Sequence, residues 1–168
     1  GSLYYRGQNA IELSRTSTLE DTATLMWDAG APVSFEFHQS MVNGKPGRAN
    51  AFALLADLAA AGHSTHGRQK SVLHEEAQNL VALVGEAFGA KYVEGAPLHM
   101  RFAKAWRQPL HVATLLRTAM VLLADHELTS SAFATRIAAS TGASLPACLL
   151  TGLTTLSGPL HGDASGRV

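Results

Sequence analysis

The sequence predicts an all-α protein, and three observations lead there. Apolar residues recur at helical rather than alternating spacing along most of the chain. Gly and Pro fall where those periodic runs end. No pair of segments shows a hairpin signal, and Phe35-Glu36-Phe37 alternates over too short a stretch to carry a sheet. The 168 residues suffice for one sizeable core, and 46% are hydrophobic.

The elements follow in order. Asn9 to Arg15 reads as a short helix. Ser17-Thr18-Leu19-Glu20 has the form of a capping box, with Ser17 accepting from the backbone and Glu20 reaching back, ahead of a helix to about Asp28. Ala49 to Ala61 forms a helix stopped by Gly62, and a polar loop runs to Gly67. Ser71 to Phe88 carries a broad apolar face and stops at Gly89. Pro109 opens a helix from Leu110 to about Asp125 that is apolar nearly all round, with Arg117 its only charge before Asp125. A further helix spans about Ser131 to Ser140.

Ile137 to Gly162 contains no formal charge. Gly142, Pro146, Gly152, Gly158 and Pro159 interrupt it too often for a membrane span. Its small residues let helices approach closely, and so much uncharged helix needs covering. A homodimer interface around residues 137–160 is therefore expected.

Charge and composition exclude other classes. Thirteen Lys and Arg balance thirteen Asp and Glu, so neither a nucleic-acid footprint nor a basic membrane-surface helix is expected. The single cysteine, Cys148, fits a cytoplasmic chain and reads as inert core. His63-Ser64-Thr65-His66 supplies only two local metal ligands, and a solvated loop explains it better. No metal and no cofactor is expected. Trp27 and Trp106 read as packing residues.

Two histidines stand where rigid elements run out. His126 follows the apolar helix in Asp125-His126-Glu127, and His161 sits in Ser157-Gly158-Pro159-Leu160-His161-Gly162. Such positions expose a side chain to a cleft while a rigid element holds it. Neutral imidazole can donate to a carbonyl oxygen and stabilise charge that builds up there. The structural alternatives are a helix-capping role for His126 and a turn role for His161.

At these histidines the chain resembles the citrate synthase family. Leu3-Tyr4-Tyr5-Arg6-Gly7, Ile11-Glu12-Leu13 and Ser17-Thr18-Leu19-Glu20-Asp21 are similar to its early "YRG…I.EL…ST.E" stretch. Val121 to Leu128 resembles "LLADHEL", and Ala138 to Ala143 with Leu156 to Gly162 resemble the approach to the family's first catalytic histidine. The resemblance implies a partial large helical domain over residues 1–168, with the small domain absent. It implies condensation of acetyl-CoA with oxaloacetate to give citrate and CoA, the CoA thioester being a substrate. It assigns His161 as the catalytic donor to the thioester oxygen and His126 as an oxaloacetate ligand. A carboxylate base, a second histidine and arginine clamps complete the family's site, and no residue here matches them.

The sequence departs from the pattern at Leu123, at Thr129-Ser130-Ser131 and at Asp163, whose carboxylate is expected to hold His161 as imidazolium. The matching stretch begins inside the family's pattern and stops shortly after His161, so a fragment, a truncated form or a half-length paralogue is expected. Propionyl-CoA as the donor and a non-catalytic dimerisation or regulatory module are the alternatives.

Overall fold

A computed structural model of the protein describes residues 2–36 and 42–163. Its eight helices are α1 (Ala10–Thr16), α2 (Leu19–Met26), α3 (Arg48–Ala61), α4 (Lys70–Ala87), α5 (Leu98–Ala105), α6 (Leu110–Leu122), α7 (Ser130–Ser140) and α8 (Leu145–Leu156). A two-stranded antiparallel ribbon, β1 (Tyr4–Tyr5) with β2 (Gln8–Asn9), precedes them. The hairpin escaped the sequence reading because each strand is only two residues long. Phe35 is buried, while Phe37 and residues 164–168 lie outside the described residues.

The capping box before α2 is shifted by one residue from the expected pair. Thr18 Oγ1 accepts from the Asp21 N–H at 3.1 Å, and Asp21 Oδ2 accepts from the Thr18 N–H at 2.8 Å. Glu20 is thereby free for another task. Its Oε1 accepts from the Leu98 N–H at 2.7 Å, satisfying an orphan donor in the first turn of α5. α5 had no distinct signal in the sequence, and this side chain from α2 helps define its start.

Two packed layers follow. α7 lies on α8, α8 on α3 and α3 on α4, while α1 and α5 both pack on α6. Ala23, Phe35, Ala82, Leu98 and Phe102 form one core cluster, and Ala51, Leu54, Leu83 and Ala87 another. Trp27 packs against the first cluster, whereas Trp106 meets Phe102 at a tilted angle of 44° and stays half exposed. α8 approaches α7 closely because position 152 is glycine: an added Cβ would collide with the Thr135 hydroxyl. Cys148 is buried, and burial pushes its thiol pKa up.

α6 is apolar nearly all round, yet only Ala113 and Val121 are fully buried. Leu110, Leu115, Leu123, Leu128, Phe133, Ile137 and Leu160 are exposed, Leu160 at 94%. Arg117 reaches back to α1, donating to the carbonyls of Ser14 and Ser17 at 2.9 and 2.8 Å through Nη1 and to Arg15 through Nη2. Those are the open C-terminal acceptors of a short helix, which favour a cation. Among the described residues no helix is long and apolar enough to cross a membrane.

Candidate functional site

His161 and His126 line the same cavity, of about 770 Å³. Its floor is apolar: Leu55 from α3, Val84 and Phe88 at the end of α4, and Leu149, Leu153 and Leu156 from α8. Its polar side chains come from the 125–131 segment, from Thr135 of α7 and from His161. A concave apolar pocket with a few convergent polar groups is the form a small-molecule site takes.

His161 is set by the turn that ends α8. Its N–H donates to the Gly158 carbonyl at 3.0 Å. Its Nε2 lies 2.9 Å from Ser131 Oγ in the first turn of α7. With the hydroxyl donating, Nε2 is the acceptor and the ring proton resides on Nδ1. The ring is then half-buried, held in one orientation, and keeps an N–H for another acceptor. Gly162 follows by steric necessity, since a Cβ there would stand 2.6 Å from the Leu156 carbonyl oxygen. In the sequence Ser131 marks only a helix start and a departure from the family pattern, and its partner lies 30 residues away, beyond any local signal.

His126 is solvent-exposed and sits in a turn with internal support. Asp125 Oδ1 accepts from the Glu127 N–H at 3.0 Å, and Glu127 takes a left-handed φ of 57°. Asp125 Oδ2 pairs with Arg136 of α7 at 3.2 Å. From the other side the Tyr5 hydroxyl donates to the Val121 carbonyl at 2.8 Å, with the Leu122 and Asp125 carbonyls at 3.1 and 3.3 Å. Helix capping does not describe His126, because α6 ends at Leu122 and the ring stands four residues beyond.

The expectation for Asp163 is corrected. Its carboxylate is ion-paired with Arg48 at the start of α3, at 3.0 Å, and does not engage His161. Distance along the chain misled here, because the fold brings α3 next to the end of α8. His63 and His66 join no metal cluster, and among the described residues no group of three or more His, Cys, Asp or Glu is placed to hold an ion. That loop is instead tied to the α7–α8 connection: the Thr65 N–H and the Ser64 hydroxyl both donate to the Gly142 carbonyl, at 3.1 and 2.7 Å.

The fold recurs in known proteins. Residues 43–168 match the family model described as citrate synthase, C-terminal domain. The fold is similar to citrate synthase from Thermotoga maritima, with a TM-score of 0.76 at 22% identity over 99% of this chain and 52% of that one. It is also similar to citrate synthase from the archaeon Thermoplasma acidophilum, solved as a ternary complex with carboxymethyl coenzyme A and oxaloacetate. There the TM-score is 0.75 at 19% identity, over 99% of this chain and 53% of that chain. The chain thus spans about half the length of these structures. With its family model covering most of its length, the chain belongs to the citrate synthase family.

Proposed function

We propose that this chain supplies one wall of the active site of an enzyme that condenses an acyl-CoA with oxaloacetate, giving citrate and free CoA from acetyl-CoA. The observation that carries this reading is the shared cavity: an oriented imidazole, His161, and an exposed one, His126, face the same apolar space. His161 donates from Nδ1 to the thioester oxygen as the α-carbon loses its proton, stabilising the enolate without a full positive charge. His126 binds oxaloacetate. The described residues correspond to part of the large helical domain.

The proton is removed by a carboxylate from outside the described residues. Asp125 and Asp163, the aspartates beside the two histidines, are held by Arg136 and Arg48. The chain by itself is then inactive in condensation. The exposed apolar side chains of α6 and α7, with the small-residue segment 137–160, form a homodimer interface in this reading. A cytoplasmic setting rests on the lone cysteine. Propionyl-CoA is the alternative donor.

Calorimetry with oxaloacetate tests the binding half: His126→Ala is expected to lose at least tenfold in affinity, and unchanged affinity refutes the role. Thiol release from acetyl-CoA and oxaloacetate tests the chemistry, and turnover in any active assembly containing this chain is expected to vanish in His161→Ala. The paired state of both aspartates favours a second reading, a non-catalytic dimerisation or regulatory module. A stable dimer that binds no oxaloacetate selects it.

A further inference from the structure

Arg48 is the first residue of α3, where the helix dipole disfavours a cation. The N-cap before it, Gly47, offers no side chain, and the first turn holds no acidic residue. A tertiary partner supplies what the local sequence lacks: Arg48 Nη1 lies 3.0 Å from Asp163 Oδ1, across 115 positions of chain. The backbone steadies both ends of this contact. The Gly47 N–H donates to the Ala87 carbonyl at 2.8 Å, and the His161 N–H to the Gly158 carbonyl at 3.0 Å. Both side chains are about half exposed, and so wet a pair adds little stability. Its effect falls instead on the group beside it, and His161 stands two residues before Asp163.

We infer that Arg48 is a positioning residue for His161 and acts through Asp163: it draws the carboxylate to the start of α3 and offsets its charge, so that the imidazole stays a neutral donor. An unpaired carboxylate so close in the chain would favour the imidazolium form. With both ring nitrogens protonated, Nε2 could no longer accept from Ser131. The other charges around the ring do not substitute for Arg48. Asp125 and His126 are the remaining titratable groups lining the cavity, and Asp125 is paired with Arg136, the one charged residue of α7. α8 carries no charge, and α3 and α4 give the lining only Leu55, Val84 and Phe88. The value of a neutral ring rests on the donor role proposed for His161, whereas the charge relation among the three side chains does not.

Imidazole NMR on the full chain tests this without turnover. The His161 ring signals, identified by their loss in His161→Gln, are followed through a pH titration at low salt in the parent, Arg48→Ala, Asp163→Asn and the double variant. Arg48→Ala should bind the ring proton about threefold more tightly, the size of one half-exposed charge nearby. The double variant should return to the parent, a rescue that mere loss of packing at α3 does not give. Added salt should shrink the Arg48→Ala effect. Arg48→Gln serves if Arg48→Ala does not fold. An unchanged titration midpoint in the folded Arg48 variant overturns the proposal, as does a change that persists once Asp163 is also replaced. If the rescue is seen and thiol release by an active assembly survives His161→Ala, the donor role fails while the charge relation stands.

Discussion

His161 Nε2 lies 2.9 Å from Ser131 Oγ, a contact between the turn after α8 and the first turn of α7 that leaves Nδ1 as the ring's free nitrogen. Ser131→Ala removes the hydroxyl that, when it donates to Nε2, selects the Nδ1–H tautomer. A two-dimensional ¹H–¹⁵N spectrum optimised for imidazole couplings should show the Nδ1–H form in the parent protein and a shift toward the Nε2–H form in the variant. An unchanged tautomer ratio means that Ser131 does not set the ring's proton.

Tyr5 ties the first ordered segment to the turn that carries His126. Tyr5→Phe deletes its hydroxyl and leaves the buried Val121 carbonyl without this side-chain donor. A loss of about 1 kcal/mol is expected, the usual net value of one such bond. Urea unfolding measures it, with the midpoint falling and the slope unchanged.

Gly162→Ala forces a methyl group against the backbone oxygen of Leu156, which cannot move without unwinding the end of α8. Destabilisation of about 1–3 kcal/mol is expected, the range for overpacking. The same variant should change the His161 imidazole resonances, because the displaced turn carries the ring. A variant as stable as the parent, with unaltered imidazole signals, contradicts the close approach.

His99 makes stability depend on pH. Burial, followed by the positive charge of Arg117, lowers its pKa below the ordinary 6.5, and its buried Nδ1 has no partner. The folded state therefore binds this proton more weakly than the unfolded chain. Its stabilising contribution is complete above pH 6.5 and is lost as pH falls from there through the depressed folded value. The urea midpoint should drop between pH 7.5 and 5.5, and His99→Leu should flatten that part of the dependence. An identical slope in the variant assigns the effect to other groups.

Arg101 is a cation enclosed by the fold, 1% exposed and donating to three carbonyls. Arg101→Met leaves those oxygens and the Glu86 carboxylate uncompensated. Removing one member of a buried charge pair costs about 3–5 kcal/mol. Denaturant unfolding should show a loss of that order, and Arg101→Lys should recover only part of it because ammonium lacks the planar fork.

The helices were legible wherever an apolar period coincided with a stop. Gly62, Gly89 and Pro109 mark ends within a residue or two of those observed for α3, α4 and α6. α5 was not legible, for a definite reason: its eight residues include a buried Arg101 and a buried His99, which break the apolar pattern. The capping box before α2 was legible as a motif but not in register, since Ser17, Thr18, Glu20 and Asp21 offer two frames and only the pull of Leu98 on Glu20 separates them.

By itself, the sequence determined the all-α class, the family resemblance and the two histidines, because these rest on local periodicity and on residues adjacent in the chain. Only the tertiary structure decided that His126 and His161 face one cavity, that Ser131 orients one of them, and that Arg48 takes Asp163. Each of those is a contact between residues tens of positions apart, and a side chain's partner there is chosen by how helices pack.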